Sequence, residues 1–201
     1  MKKQRVILLV LFCSLIIAFT TAISQNKYRD TWQKPEAIMD TIGVKEGMVI
    51  GEAGAGEGYF TFWLSKRVGE KGKIYANDIN KRVLRKIEQR YKREGVTNIT
   101  TIIGKLADPL FPKGELDMVV MMMAFHDFTK KVEWLENVKP SMKPDAPLVI
   151  IDRDPEKVNG GWGHFMTKDD ILKTVKQANF ELARIETFLP KDNIYIFRLK
   201  K

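Results

Sequence analysis

The 201-residue sequence predicts an α/β fold: a doubly wound, mostly parallel sheet of seven strands that ends in an antiparallel hairpin. Three observations carry the prediction. Short apolar runs alternate with stretches of helical spacing along the chain. The runs are nearly continuous in apolar character, which fits strands covered on both faces rather than on one. The last two strand-like runs have no helical stretch between them.

Each element has its own signal. Residues 47–52, GMVIGE, read as a short buried strand, and the helix after it places Tyr59, Phe60, Trp63, Leu64 and Arg67 at helical spacing. KIYAN, 73–77, is the second strand. Asn80 is a suitable N-cap for a helix with Val83, Leu84, Ile87 and Tyr91 on one face, and Gly95 ends it. ITTIIG, 99–104, and LDMVVMMM, 116–123, follow as strands, with Met121, Met122 and Met123 read as buried strand residues. A helix around 132–138 precedes the strand PLVIID, 147–152. Thr167 with Asp170 resembles a capping box for a helix through Ile171, Val175 and Ala178. ELARIET and NIYIFRL, separated by FLPKD, complete the hairpin. Gly51 within the first strand is expected to loosen packing there.

The N-terminus is read separately. Lys2, Lys3 and Arg5 precede the apolar run VILLVLFCSLIIAF, residues 6–19, followed by TTAISQ with a small residue at Ala22 or Ser24 as the cleavage point. This is the pattern of a signal peptide, with an uncleaved membrane anchor as the alternative. The division is therefore 1–24 as signal or anchor and 25–201 as one domain, exported or membrane-anchored. Residues 6–23 are the expected point of any membrane association. The single cysteine, Cys13, lies in that segment, so the folded part has no disulfide, thiolate metal site or cysteine nucleophile. The formal net charge of +9 reads as a solvated basic surface.

The loop in VIGEAGAGEGYF, 49–60, selects the ligand. It lacks the lysine and hydroxyl of a Walker loop, and the third glycine of the dinucleotide fingerprint is replaced by Tyr59. Glu52 and Glu57 would oppose a pyrophosphate at the helix N-terminus. A cationic ligand fits better. S-Adenosylmethionine carries a sulfonium, an ammonium and one carboxylate; Glu52 is placed to meet the ammonium, and backbone N–H groups to hold the carboxylate.

VIGEAGAGEGYF, IYANDIN and LDMVVMMMAFHDF together resemble, in order and spacing, the motifs of class I S-adenosylmethionine-dependent methyltransferases, over roughly residues 28–198. The resemblance implies the Rossmann-like methyltransferase fold and a cofactor site at Glu52, Gly54, Gly56 and Gly58. It also implies Asp78 as the acid that accepts the ribose hydroxyls and Ile79 against the adenine. Asp78 follows the loop at close to the roughly 20-residue interval of a strand–helix–strand unit. Lys105 stands where many relatives carry the acid facing the adenine amine, which leaves Leu106 and Asp108 as candidates. GKLADPLFP, AFHDF and GHFMTKDD resemble a subgroup that also carries a signal-like N-terminus.

Direct methyl displacement needs alignment more than acid–base chemistry, but an acceptor that loses a proton needs a base within reach. His126 and His164 are the only histidines, and both are expected near strand carboxyl ends. His126, His164 and Asp152 are the catalytic candidates, with bracing of a loop as the alternative role for the histidines. Asp127 and Asp154 share the rim, and Asp152 and Asp154 are also read as partners of surface cations. Trp162 is read as an aromatic wall of the acceptor pocket, with ordinary packing as the alternative. No recognised metal-ligand spacing is present, so no metal is expected. The reading is methyl transfer to a small-molecule or lipid-like acceptor. The alternatives are an exported or tethered binding protein without turnover and, third, a nucleic-acid methyltransferase. Against the last, no Asn/Asp-Pro-Pro-Tyr/Phe motif follows the fourth strand.

Overall fold

Strands apolar on successive residues need cover on both faces, and the chain provides it. A computed structural model describes residues 28–158 and 163–200. The strands are β1 (Val49–Ala53), β2 (Lys73–Asp78), β3 (Ile99–Ile103), β4 (Met118–Met122), β5 (Leu148–Arg153), β6 (Phe180–Glu186) and β7 (Asp192–Leu199). They form one sheet in the order β3-β2-β1-β4-β5-β7-β6. β1 to β5 are parallel, and β7 runs antiparallel between β5 and β6.

Among the described residues, five helices cover the sheet: α1 (Pro35–Ile42), α2 (Tyr59–Val68), α3 (Lys81–Glu94), α4 (Lys131–Val138) and α5 (Lys168–Gln177). β4 shows the double burial most clearly. Met118, Val120 and Met122 pack with Ile38, Leu64 and Ile87 of α1 to α3, whereas Val119 and Met121 pack with Leu135 and Ile171 of α4 and α5. Because α2 follows β1 onto one face and α4 follows β4 onto the other, the connections diverge between two neighbouring strands. That divergence opens a crevice at their carboxyl ends.

The edges differ from the sequence reading. β3 and β6 are mostly exposed or half-buried, since an edge strand has fewer neighbours to cover it. Residues 28–33 and α1 are helical, and the sequence reading passes over both. The signal for α1 was present: Pro35 at its start, Ile38, Met39 and Ile42 on one face, and Gly43 in the left-handed conformation at its end. Gly51 does not loosen β1. A Cβ there would lie 2.8 Å from Leu116 Cδ1 and 3.0 Å from Phe111 Cε2, so two large side chains already fill the space. Met121 and Met122 are buried strand residues as read, but Met123 has left the strand with φ of 55°.

Asn80 caps α3 by accepting from Arg82 N at 2.9 Å, and Thr167 caps α5 by accepting from Asp170 N at 3.1 Å. Residues 1–24, with the signal or anchor reading, lie outside the described residues, and so does Trp162. Among the described residues no helix is long and apolar enough to cross a membrane.

Candidate functional site

The crevice at the carboxyl ends of β1, β2 and β4 contains two adjoining cavities. The larger, about 310 Å³, is lined by Gly54, Gly56, Asp78, Ile79, Leu106 and Phe128, among others. The smaller, about 250 Å³, shares Gly54, Gly56 and Met123 with it and extends to Glu52 and Arg29. The larger volume lies at the lower end of the range usual for small-ligand sites, roughly 300–1,000 Å³.

The glycines divide into distinct roles. At Gly54 a Cβ would lie 2.3 Å from that of Ala124, so only glycine lets the β1 loop approach the β4 loop. Gly56 has φ of 55°, and a Cβ there would meet no protein atom within 4 Å, leaving bare backbone beside open space. Gly58 starts α2 and touches neither cavity. Its Cβ would meet Ile87 of α3 at 3.0 Å, so its smallness serves helix packing.

Asp78 ends β2 with both carboxylate oxygens oriented. Oδ2 accepts from Gly56 N at 3.0 Å and Oδ1 from Asn80 N at 2.8 Å. Each oxygen keeps a further acceptor position, as a pair of vicinal hydroxyls requires. Ile79 is 57% and Leu106 53% exposed, an unusual state for large apolar side chains that line a cavity, and together they offer apolar cover to a planar ring. Leu106 is held there by a turn in which Lys105 N donates to Asp108 O at 2.7 Å, and by Asn77 Nδ2 donating to Pro109 O at 2.8 Å. Asp108 does not line the cavity. Its Oδ1 accepts from Leu110 N at 2.9 Å, which makes it part of the turn, and Lys105 lines the wall instead.

At the other end, Glu52 is 2% exposed and accepts a 2.5 Å hydrogen bond from Thr61 Oγ1. Burial pushes its carboxyl up to about 8, against the opposing pull of the Thr61 bond and the Arg29 charge. It is therefore not the standing negative charge expected from sequence. Burial likewise lowers the Arg29 guanidinium, which packs 3.6 Å over the Tyr59 ring. Arg29 is a cavity residue that sequence reasoning missed, because nothing local links residue 29 to the β1 loop. Glu57, also expected to shape the loop's field, is ion-paired with Lys86 on the surface.

The β4 end carries the histidines. Met123 adopts its left-handed φ where it lines both cavities, the kind of backbone strain that costs about 1–3 kcal/mol and collects at functional sites. After it, a 3-10 turn over Phe125–Asp127 presents His126, whose side chain is only 4% exposed. Its Nδ1 lies 2.6 Å from Asp152 Oδ1, and its backbone N donates to Asp152 Oδ2 at 3.0 Å. Asp152, 1% exposed, is thus no partner of a surface cation but a buried orienter of the ring. Arg153 pairs with Asp192 at 2.7 Å instead. Asp154 is also buried, accepting from Asn193 Nδ2 at 2.6 Å.

His164 reaches the same place from the segment before α5. Its ring centroid is 4.9 Å from that of His126, and its Nε2 is 3.1 Å from Asp127 Oδ1. His126 Nε2 faces Asp127 Oδ2 at 3.5 Å. The reading against metal spacing rested on linear sequence. The fold brings His126, Asp127 and His164 together with their ligand atoms within 4.8 Å of one another. Phe128 and Trp134, also unassigned from sequence, line the larger cavity with ring centroids 5.2 Å apart.

A family model described as a methyltransferase domain matches residues 44–195. Among curated relatives, the ubiquinone/menaquinone biosynthesis C-methyltransferase UbiE of Hydrogenovibrio crunogenus is 27% identical over 111 residues, 55% of this chain and 44% of that protein. The Escherichia fergusonii protein of the same name is 26% identical over 115 residues, 57% and 46% of the two chains. The match thus spans less than half the length of these relatives. The crystal structure of an S-adenosylmethionine-dependent methyltransferase from Aquifex aeolicus superposes with a TM-score of 0.80 at 25% identity, covering 88% of this chain and 97% of the other. One from Mesorhizobium loti, at 15% identity and a TM-score of 0.66 over 83% and 96% of the chains, shares the fold.

Proposed function

The chain belongs to the methyltransferase-domain family, and from that premise we propose that it transfers a methyl group from S-adenosylmethionine to a small, aromatic or lipid-like acceptor. The observation that carries the reading is Asp78, its two oxygens oriented by Gly56 and Asn80 beside exposed Ile79 and Leu106. These residues fit a nucleoside: Asp78 accepts the ribose hydroxyls, and Ile79 and Leu106 cover the base. Gly54 and Gly56 pass its remainder toward the smaller cavity, where Glu52 meets an ammonium and Arg29 a carboxylate. The bound cofactor supplies an electrophilic methyl group on a positively charged sulfur.

The acceptor end is the β4 side. Asp152 orients the His126 ring through Nδ1, so Nε2 is presented at the rim beside Asp127. Phe128, Trp134 and Met123 give an apolar wall against which a planar acceptor can be aligned with the methyl. The curated relatives' names, C-methyltransferases of ubiquinone and menaquinone biosynthesis, support an acceptor of that kind.

The test is calorimetry of the full chain with S-adenosylmethionine, then transfer of labelled methyl to hydroxylated aromatics and isoprenoid quinols. Saturable binding that Asp78→Ala weakens by roughly 1–3 kcal/mol is the expected result. Affinity unchanged in a folded Asp78→Ala chain would remove the cofactor assignment. Tight binding with no transfer to any acceptor of these classes would leave a cofactor-binding protein without turnover.

A further inference from the structure

We infer that His126, Asp127 and His164 form a binding site for a divalent transition-metal ion, with Asp152 as the carboxylate that orients His126. Asp152 fixes how the His126 ring sits. Asp152 is an acceptor at 2.6 Å from His126 Nδ1, and it also takes hydrogen bonds from His126 N at 3.0 Å and Arg153 N at 2.9 Å. So placed, it demands the proton on Nδ1. Nε2 is then the nitrogen turned outward, 3.5 Å from Asp127 Oδ2.

The donor set suits such an ion. Two imidazole nitrogens and one carboxylate oxygen are the ligands preferred by zinc, iron, nickel and related divalent ions. An ion with metal–ligand bonds of about 2.1 Å in tetrahedral geometry needs ligand atoms about 3.4 Å apart. The Asp127 carboxylate reaches both rings at close to that spacing, through Oδ1 to His164 at 3.1 Å and through Oδ2 to His126 at 3.5 Å. All three ligand atoms lie within 4.8 Å of one another, and His164, with a side chain 61% exposed, has room to rotate inward. The buried carboxylate on the far nitrogen of His126 is the arrangement that fixes tautomer and ring orientation in metal-bound histidines. Lys131 holds the turn that carries His126 and Asp127, donating to the carbonyls of His126, at 3.0 Å, and Phe128.

Three protein ligands leave a coordination position open. Asp127 also lines the larger cavity, so that position borders the acceptor end, and an acceptor hydroxyl is the group it would take. His126 then acts as a ligand, not as a proton acceptor. The inference rests on the proposed acceptor side only for this last point, because metal binding is measured without turnover.

The experiment uses the full chain, free of any histidine tag and stripped by a chelator, titrated with Zn²⁺ by calorimetry and with Co²⁺ by visible absorption. One equivalent of Zn²⁺ and a cobalt d–d band of four- or five-coordinate character are expected. His164→Ala, at an exposed position that leaves folding intact, should weaken Zn²⁺ at least about tenfold and abolish the band. Asp152→Asn should keep the stoichiometry and weaken Zn²⁺ roughly 10- to 100-fold. Absence of saturable binding, or one-equivalent binding unchanged in His164→Ala, would overturn the site and leave His126 as a side chain braced between Asp127 and Asp152. Asp78→Ala should bind Zn²⁺ as the parent chain does, which separates failure of this site from failure of the cofactor site.

Discussion

Asp152 and Glu52 are both buried carboxyls a few residues from the crevice, yet the structure gives them opposite surroundings. Asp152 receives three hydrogen bonds, two of them from His126, so its burial serves a neighbour's orientation. Glu52 has the Thr61 hydroxyl and little else, and burial raises its carboxyl from 4.5 to about 8. The sign of the linkage follows directly. The folded chain keeps the Glu52 proton while the unfolded chain loses it, so this acid's contribution to stability is full below about pH 4.5 and declines as pH rises to about 8. Glu52→Gln, which retains a partner for Thr61, is expected to flatten the ligand-free stability curve across that window in denaturant titrations at several pH values. An arriving ammonium favours the ionised acid. Cofactor binding near pH 6 should therefore release a proton, seen as a calorimetric enthalpy that varies with the buffer's ionisation heat, and Glu52→Gln should remove the dependence. His126→Gln is expected to lower turnover by about 10²-fold or more with cofactor affinity retained, because its ring faces the acceptor end. Equal losses in both measurements would make it a brace of the β4 loop.

At the scale of elements, two short segments position the site, and each can be disturbed separately. Asn80 caps α3 while its backbone N–H orients Asp78, so the cap and the orientation of that acid share one residue. Asn80→Ala is expected to cost about 1 kcal/mol, a fall in Tm of about 2–4 °C for a chain of this size. Cofactor affinity should change less than in Asp78→Ala, since the backbone N–H remains. β1 offers the converse test. Gly51→Val drives a side chain into Leu116 and Phe111 and should destabilise the fold by roughly 1–3 kcal/mol through overpacking. A Cβ at Gly56 meets no protein atom within 4 Å, so beyond the strain of its positive φ the effect of Gly56→Val should fall on cofactor binding. Chemical unfolding with calorimetry of both variants checks the contrast.

For the whole molecule, the strands and helices between Pro35 and Leu199 bury one another across the sheet. A chain starting at Gln25 is expected to melt cooperatively. We propose that residues 6–23 take the protein to a membrane, by export or as an anchor, and fractionation of full-length and shortened chains checks it. Recovery of the uncleaved full chain free of membrane would end that proposal.

The alternation of apolar runs with helical periodicity, the cap at Asn80, the capping residue Thr167 and the acid at Asp78 are local signals, carried by residues within a turn or two of each other. They were sufficient for the α/β class and the antiparallel end, and Asp78 ends β2 at the crevice. Edge exposure at β3 and β6 was not legible, because a strand's place in a sheet depends on partners distant in sequence. The same holds for Arg29 beside Glu52, and for Phe128 and Trp134 on one wall. His126, Asp127, Asp152 and His164 converge from three separate segments, and no linear spacing between them encodes a distance. Only the folded chain decides that Asp152 orients a ring instead of pairing with Arg153, because a side chain's partner is set by where the sheet carries it.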